Sequence, residues 1–344
     1  MPALSTFVTT TTQSRLLPKS VDSVLNGNVI AMRLLGKAKQ WLGGTSIDIR
    51  VLLSNITTVG SYSGFDTLLT TQENIAQRAS FTPSQYYVSL PASGIQLAVN
   101  QGDAAVINLI ASELEWRTKR LKDEMGTDTY LDGTGNTSKA LLGLVAAVDD
   151  TTNVITYGGL SRNTYTNWRA TLTAQSGSLS LANLASDFDA AQRGADIPTI
   201  MVTTPAVFSL YEALLTPTTT NQFSQNDYRM VNVDNQGGVL VRVGGTVPMA
   251  GNGFRGLTFR GIPFVADEKC TSGNIFTLNE NHLSFYTIPQ NTSILNRTEV
   301  GNGFYRSQWK EPANQDGTVL ELFWYGQLIA DAPRTMARRT GVTS

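Results

Sequence analysis

The alternation of apolar and polar residues predicts a β-strand near position 50. In "SIDIRVL" (46–52), the residues Ile47, Ile49 and Val51 alternate with polar ones, which is the two-residue period of a half-buried strand. A long polar stretch follows, and the run "SQYYVSLP" (84–91) is a second strand that returns from it. We interpret 46–100 as a two-stranded projection with little core of its own. Because an isolated hairpin is only marginally stable in water, such a projection needs a partner surface.

The clearest helical period begins after Gly102. Apolar residues recur from Ile107 to Met125 at intervals of three, four and seven positions, and Asp103 is a good N-cap. Gly126 is expected to end the helix, because glycine readily adopts the backbone conformation that follows a last helical turn. About 22 residues give a helix that is ~33 Å long.

Two shorter helices and several strands complete the pattern. Ser180 caps "LANLASDFDAAQRG", and Pro205 is the first residue of a helix over "AVFSLYEALL". From 218 onward the chain reads as strands and loops, and "TVLELFWYGQLIAD" is apolar on both faces, as in an interior strand. The sequence therefore predicts an α+β fold with mixed or antiparallel sheets.

Composition and charge narrow the possible partners. The chain has 344 residues, of which only 15% are charged, and a net charge of −1; soluble domains average roughly 25% charged residues. A surface with little charge suits packing against further copies of the chain, although a monomer could have the same composition. The pI of about 5.9 argues against sequence-specific nucleic-acid binding. The basic cluster of Arg334, Arg338 and Arg339 is interpreted as a solvated tail.

The single cysteine and the lack of a recognisable secretory signal indicate a soluble protein of a reducing compartment. Cys270 is the only cysteine, so an intrachain disulfide is impossible. The N-terminal residues lack the basic and apolar regions of a secretory signal. The longest apolar run, "ALLGLVAAV" (140–148), is far shorter than the ~20 residues that span a bilayer.

A possible phosphate-binding loop occurs at Gly251, Gly253 and Gly256, which have G-x-G-x-x-G spacing. A dinucleotide loop must open a helix, whereas "LTFRGIPFV" after it reads as a strand. We interpret this "GNGF", and the second one at 301–304, as Asn–Gly turns between strands.

Catalytic and metal-binding residues are scarce. His282 is the only histidine, so a site with two histidine ligands is excluded. Neither a G-x-S-x-G motif nor a nucleotide-binding P-loop is present. The sequence thus predicts no enzyme activity, no cofactor and no metal.

The order of these elements resembles that of the major capsid proteins of tailed bacteriophages, the Hong Kong 97 (HK97) fold. The stretch "LPKSVDSVLNGNVIAMRLLGKAKQWLGG" looks like the N-terminal arm, "SIDIRVL…SQYYVSLP" like the E-loop, and "DAAVINLIASELEWRTKRLKDEM" like the spine helix of the P-domain. The segments "IPTIMVTTPAVFSLYEALL" and "GLTFRGIPFVADEKCTSGNIFTLNENHLSFY" look like the A-domain. The segment "VLELFWYGQLIADAPRTMARRTGV" resembles the closing P-domain strand and tail.

The resemblance implies a division of the chain into five parts. They are an arm (1–44), an E-loop hairpin projection (45–100), a P-domain with the spine helix (101–150), an A-domain (151–280), and P-domain return strands with a C-terminal tail (281–344).

The resemblance also implies a function. The chain is expected to assemble with copies of itself into the pentamers and hexamers of an icosahedral phage head around double-stranded DNA, within the host bacterial cytoplasm. Portal, decoration and separate scaffolding proteins are further expected partners, and a membrane is not. The alternatives are an encapsulin-like nanocompartment shell and a nucleotide-dependent oxidoreductase that uses 251–256. The candidate inter-subunit contacts are Arg50, Arg78, Tyr86, Tyr87, Glu113 and Arg117.

The lysine content of the projection leads to a first prediction. Some proteins of this family crosslink covalently through a lysine of the E-loop, whereas residues 41–100 contain no lysine. Denaturing gel electrophoresis of intact particles is therefore expected to show a single band of monomer size. A ladder of covalent oligomers joined through this projection would contradict the expectation.

Overall fold

The computed structural model describes residues 28–54, 56–95, 109–215, 228–231, 239–242, 257–290 and 292–343. The right-handed α-helices of the described residues are α1 (Val29–Leu35), α2 (Leu109–Thr129), α3 (Leu144–Ala147), α4 (Leu181–Ala191), α5 (Pro205–Leu215) and α6 (Thr292–Leu295). Short 3₁₀ helices occur at Thr166–Trp168 and Pro333–Thr335, and Gly135–Ser138 forms a turn with positive φ angles. The first strands are β1 (Lys39–Gln40), β2 (Ile47–Leu52), β3 (Ala76–Phe81), β4 (Ser84–Ser93), β5 (Thr156–Tyr157), β6 (Leu160–Ser161), β7 (Thr171–Gly177), β8 (Ile200–Thr203) and β9 (Tyr228–Val231). The others are β10 (Val239–Arg242), β11 (Thr258–Phe259), β12 (Ile262–Ala266), β13 (Ile275–Leu278), β14 (Leu283–Thr287), β15 (Arg297–Gly301), β16 (Phe304–Ser307), β17 (Gly317–Ala330) and β18 (Ala337–Val342).

The first large sheet is built around β17, which has neighbours on both sides, as its apolar faces predict. The order is β1-β14-β17-β16-β15, and β4 also pairs with β17, from Ser84 opposite Gly326 to Ser93 opposite Gly317. Trp324 of β17 is fully buried among the rings of Tyr86 and Phe285. The Asn302–Gly303 turn between β15 and β16 has positive φ at both residues, so the predicted turn chemistry is confirmed there.

The second large sheet has the order β11-β12-β8-β13-β18-β7, and its two faces contact different parts of the core. On one face, Met201 and Phe264 pack under α4 and α5. On the other face, Val202 and Phe276 join the main core, which the first sheet and α2 also line. Ser180 caps α4 through a hydrogen bond from the Asn183 amide, and α5 begins at Pro205, as the sequence predicts.

The projection differs from its prediction in the identity of its second strand. β2 pairs antiparallel with β3 (Ala76–Phe81), while the run 84–91 belongs to β4 and pairs with β17. The expectation that 84–91 returns to pair with 46–52 is therefore wrong. Only Ala79 and Phe81 of β3 are buried. The sequence of the strand, "AQRASF", therefore has too few large apolar residues to show a strand period.

The long helix α2 also extends further than predicted. Gly126 lies inside the helix, which continues to Thr129, while the start predicted at 103 falls outside the described residues. A Cβ atom at Gly126 would collide with the side chain of Asn28, whose Nδ2 donates to the Lys122 carbonyl at 3.0 Å. Glycine is thus required at this position by the close approach of the segment that leads into α1.

Asp267 ties α1 to the rest of the subunit. Its Oδ2 accepts hydrogen bonds from the Val29 and Ile30 amides at 3.0 and 3.3 Å, and from the Tyr130 hydroxyl at 2.8 Å. The carboxylate thereby satisfies two amides at the start of α1 that have no partner inside the helix. Burial raises the pKa of Asp267 above its usual value, because desolvation disfavours the charged form.

The interpretation of the C-terminal basic cluster as a solvated tail is wrong for Arg338 and Arg339, whereas Arg334 is exposed. Arg338 and Arg339 lie in β18 between β13 and β7, and they are 7% and 4% exposed. Arg339 forms a two-point ion pair with Asp187 of α4, at 2.6 and 2.7 Å. Pairing in this geometry offsets the cost of burying both charges. The division of the chain remains a prediction, and the pairing indicates that β18 belongs with the second sheet.

A further buried arginine, Arg162, lies in the segment that connects β4 of the first sheet to β7 of the second. Arg162 is completely buried, and it donates to the carbonyls of Ala146, Ala147, Val154 and Trp168 at 2.8 to 3.2 Å. Its Nη1 lies 3.8 Å from the buried carboxylate of Asp149. One side chain thereby satisfies four backbone acceptors and one charge.

Replacing Arg162 is expected to destabilise the subunit strongly. Arg162→Met leaves the four carbonyls without their donor and removes the positive charge beside Asp149, which costs about 3–5 kcal/mol for a broken buried ionic network. Urea denaturation followed by circular dichroism measures the change in the free energy of unfolding. Arg306→Met, at an exposed position of β16, is the control, with an expected change within about 0.5 kcal/mol. Equal stabilities of the two variants would contradict the assigned role of Arg162.

Candidate functional site

The hairpin of β2 and β3 has one buried and one exposed face. Ile47 lies opposite Phe81 in the antiparallel register, and both side chains are buried against the main core. Ile49, opposite Ala79, packs on the same side. The intervening pairs, Asp48 with Ser80 and Arg50 with Arg78, point to the other face because side chains alternate along a strand.

Arg50 and Arg78 are directly opposite each other on that face, both exposed. Like charges in this position repel, and the carboxylate of Asp48 lies beside them, 3.8 Å from Nη1 of Arg78. Hydrogen bonds from the Ser80 and Ser46 hydroxyls, with the charge of Arg78, hold the pKa of Asp48 below its usual value. Asp48 is thus ionised at neutral pH, and one negative charge faces two positive ones.

The segment between the two strands is a projecting loop, defined here as residues 53–75, and it exposes many apolar side chains. Neither helix nor strand occurs in its described residues, and Phe65 is fully exposed, with Val59 at 81% and Leu69 at 71%. The exposed apolar set, which includes the end of β2, is Leu52, Ile56, Val59, Tyr62, Phe65, Leu68 and Leu69. An exposed apolar group of this size on one segment is typical of a binding surface.

Hydrogen bonds brace the base of the projecting loop. The Glu73 carboxylate accepts from the Thr57 amide at 2.8 and 3.0 Å and from the Thr57 hydroxyl. These bonds hold the pKa of Glu73 below its usual value. Nearer the tip, the Ser63 amide donates to Asp66 at 2.8 Å. The loop therefore has a polar brace at its base, while its apolar residues face outward.

The two predicted tyrosines have different environments. The Tyr86 hydroxyl donates to Asp128 at 2.5 Å and accepts from the Leu141 amide at 3.0 Å, and its ring packs edge-on against Trp324. Burial and the neighbouring Asp128 raise the pKa of Tyr86 far above its usual value. Tyr87, the next residue of β4, is 68% exposed. The structure thus leaves Tyr86 half-buried, with its hydroxyl bonded within the subunit, and places Tyr87 on the surface.

Glu113 and Arg117 form an ion pair on α2, at 3.0 Å between Arg117 Nε and Glu113 Oε2. Nη1 of Arg117 also donates to the Ser89 carbonyl at 2.7 Å, which ties α2 to β4. Both side chains are 35% exposed. Of the six predicted contact residues, the hairpin brings Arg50 and Arg78 together, and Tyr87 stays open to a partner.

The exposed apolar surface of the projecting loop was not predicted from the sequence. The apolar residues that follow Ile56 occur singly or in one pair within "TTVGSYSGFDTLLTTQENIAQ" (57–77), which has no sustained helical or strand period, so the stretch reads as a polar excursion. The signal that could have found them is the spacing of Val59, Tyr62, Phe65 and Leu68. They recur every third residue without the other marks of a helix.

The remaining candidate chemistry lies at His282 and at the acidic residues of the described ranges. Nδ1 of His282 lies 2.7 Å from Asp331, and Nε2 lies 3.5 Å from Asp196, so both ring nitrogens face carboxylates at the surface. Within the described ranges, histidine, cysteine and acidic residues do not cluster as metal ligands. In the same part of the chain, every helix is too short or too polar to cross a membrane. Gly251, Gly253 and Gly256 lie outside the described residues; the strand β11 follows them.

Comparison with known proteins identifies the fold. No family model and no curated protein matches the sequence. Solved structures match over nearly the whole chain. The capsid protein of cyanophage A-1(L) is 15% identical, with a TM-score of 0.71 and coverage of 96% of this chain and 97% of that one. The capsid of the native GTA particle is 10% identical, with a TM-score of 0.62 and coverage of 99% and 100%.

An encapsulin is also similar. The SrpI encapsulin of Synechococcus elongatus is 9% identical, with a TM-score of 0.59 and coverage of 99% of this chain and 96% of that one. The resemblance seen in the sequence is thus confirmed in three dimensions. This chain has the HK97 fold of the tailed-phage major capsid proteins.

Proposed function

We propose that the protein is a structural shell subunit, the major capsid protein of a tailed phage, which assembles with copies of itself into pentamers and hexamers of an icosahedral head. The observation that carries the proposal is the projecting loop, whose apolar side chains its own subunit leaves exposed. In a closed shell each loop lies on a neighbouring copy, and each copy receives a loop in turn, so every such surface is covered.

The physical driving force is burial of the loop. Covering a Leu, Val or Phe side chain is worth about 1.5–3 kcal/mol when it is fully removed from water. The gain at any one contact is reduced by the entropy of association, so the single contact is weak. A shell repeats the contact around each capsomer, and such multivalency makes the assembly stable. Arg50 and Arg78 add a positive patch that favours an acidic surface on the neighbour.

The remaining roles follow from the proposed assembly. The shell encloses double-stranded DNA that it contacts without sequence preference, in keeping with a pI of about 5.9 and the lack of a basic stripe. Portal, decoration and separate scaffolding proteins are its partners, and the virion formed in the bacterial cytoplasm is its location. Its role is structural rather than enzymatic, since His282 pairs with surface carboxylates instead of a nucleophile.

An encapsulin-like nanocompartment shell is the second candidate, because the same fold occurs in an encapsulin. The greater similarity to the cyanophage capsid protein, in both TM-score and identity, favours the phage head. The contents of particles purified from their natural source distinguish the two functions. Nuclease-protected double-stranded DNA supports the phage head, and an enclosed protein cargo supports the nanocompartment.

Removing apolar groups from the projecting loop is expected to abolish assembly without unfolding the subunit. In the triple variant Val59→Ser, Phe65→Ser and Leu69→Ser, the contact with the neighbour loses apolar area, while the subunit core contains none of these side chains. Sedimentation velocity should show shells for the wild type and small species for the variant. Loss of about 1.5 kcal/mol per contact weakens each association at least tenfold.

The matched control changes polar residues of the same loop. Thr67→Ser, Thr70→Ser and Thr71→Ser remove three methyl groups, and this variant should assemble like the wild type. Circular dichroism verifies that both variants are folded. Shells of normal size and yield from the Val59, Phe65 and Leu69 variant would rule out the projecting loop as the assembly contact.

A further inference from the structure

An open pocket lies on the second sheet, at the β7 and β18 end. Its volume is about 600 Å³. Leu172 and Ala174 of β7 and Arg338 and Thr340 of β18 contribute its floor, since alternate residues of neighbouring strands share a face. Two loops form its walls, at Asp150–Asn153 and at Thr271–Asn274. Arg339, the neighbour of Arg338, points to the opposite face, where it meets Asp187.

Arg338 is the unusual residue of this pocket. It is 7% exposed, and its Nε and Nη1 atoms are buried without a hydrogen-bond partner among the described residues. Its guanidinium lies over the ring of Phe276, 5.5 Å from the centroid, which provides attraction without a hydrogen bond. Burial lowers the pKa of Arg338 below its usual value, because desolvation disfavours the charged form. A buried guanidinium normally has acceptors, so its missing partner points to a ligand.

The carboxylates nearby already have hydrogen-bond donors. Asp149 accepts from the amides of Asn153 and Val154 and from Nδ2 of Asn153, at 2.7 to 3.0 Å, and lies close to Arg162. Asp150, which lines the pocket, accepts from the amides of Thr151 and Thr152 at 2.5 and 2.8 Å. These bonds hold its pKa below the usual value, so it stays ionised. Neither carboxylate hydrogen-bonds to Arg338, although Asp149 lies near enough to influence it electrostatically.

The other groups of the lining can donate hydrogen bonds. Ser272 and Thr340 contribute hydroxyls, and Asn274 contributes a side-chain amide. An arginine can only donate, and its planar fork matches the paired oxygens of a carboxylate or phosphate. The donors of the pocket that lack a partner therefore favour a negatively charged acceptor.

We propose that this pocket binds a small oxyanion, a phosphate or a carboxylate, with Arg338 as its counter-ion and the Ser272 and Thr340 hydroxyls as further donors. The oxyanion is either a free ion or an acidic side chain of a second copy of the chain. The site itself does not require shell formation, because every residue that lines it lies in one subunit.

Equilibrium dialysis of the purified full-length chain against radiolabelled inorganic phosphate, at constant ionic strength, tests the site. We expect saturable binding of one phosphate per chain, displaced by sulfate and by acetate. Arg338→Gln should weaken binding at least about tenfold, since the charged donor is lost. The control is Arg334→Gln, an exposed arginine that bonds Asn167 outside the pocket, and it should bind like the wild type.

A second variant covers the possibility that Arg338→Gln fails to fold. Ser272→Ala with Thr340→Val keeps the arginine and removes two donors, so phosphate binding should weaken by about threefold or more. Non-saturable uptake by the wild type, or unchanged affinity in this double variant, would overturn the proposal.

Comparison of unassembled and assembled protein distinguishes the two sources of the oxyanion. If a neighbouring copy inserts an acidic side chain, phosphate should bind the unassembled chain and be lost in particles. If the ligand is a free ion, both forms should bind it with the same affinity. Binding by neither form contradicts the proposal.

Discussion

One imbalance dominates the structure: an apolar loop that its own subunit leaves uncovered. Residues 53–75 extend from a two-stranded hairpin, and Val59, Phe65 and Leu69 of this loop face water. The hairpin packs against the core through the buried side chains of Ile47 and Phe81. The loop beyond it is held by polar contacts, such as the hydrogen bonds between Glu73 and Thr57. A loop of this composition is costly in an isolated monomer and favourable in an assembly, because burying it against a neighbour stabilises the contact.

The rest of the fold provides a firm base for that projection. β17 pairs with β4, β14 and β16, so it joins segments that are more than 200 residues apart in the chain. Buried charges connect the remaining layers: Asp267 holds α1, Arg162 joins α3 to the neighbouring hairpin, and Arg339 joins β18 to α4. Each of these groups is fully used inside the subunit. Arg338 differs because it is also buried, yet its Nε and Nη1 have no hydrogen-bond acceptor among the described residues.

Much of the architecture could be predicted from local patterns. The alternation at 47–52, the cap at Ser180 and the proline at 205 each depend on residues close in sequence, and each prediction was confirmed. The failures involve contacts between distant residues. Gly126 reads as a helix stop, and only the approach of Asn28 shows why glycine is needed inside the helix. Arg338 and Arg339 read as a tail because the burial of a charge depends on Asp187 and Phe276, which lie far away in the sequence. β3 has too few buried residues to show a period.

A cryo-electron microscopy reconstruction of particles assembled from the purified protein tests the central claim most directly. In the predicted result, an icosahedral shell forms, and the loop 53–75 of each subunit lies on a neighbouring subunit, with Val59, Phe65 and Leu69 removed from water. A protein that remains monomeric, or a shell in which the loop projects freely into solvent, would contradict the proposal that this uncovered apolar segment drives assembly.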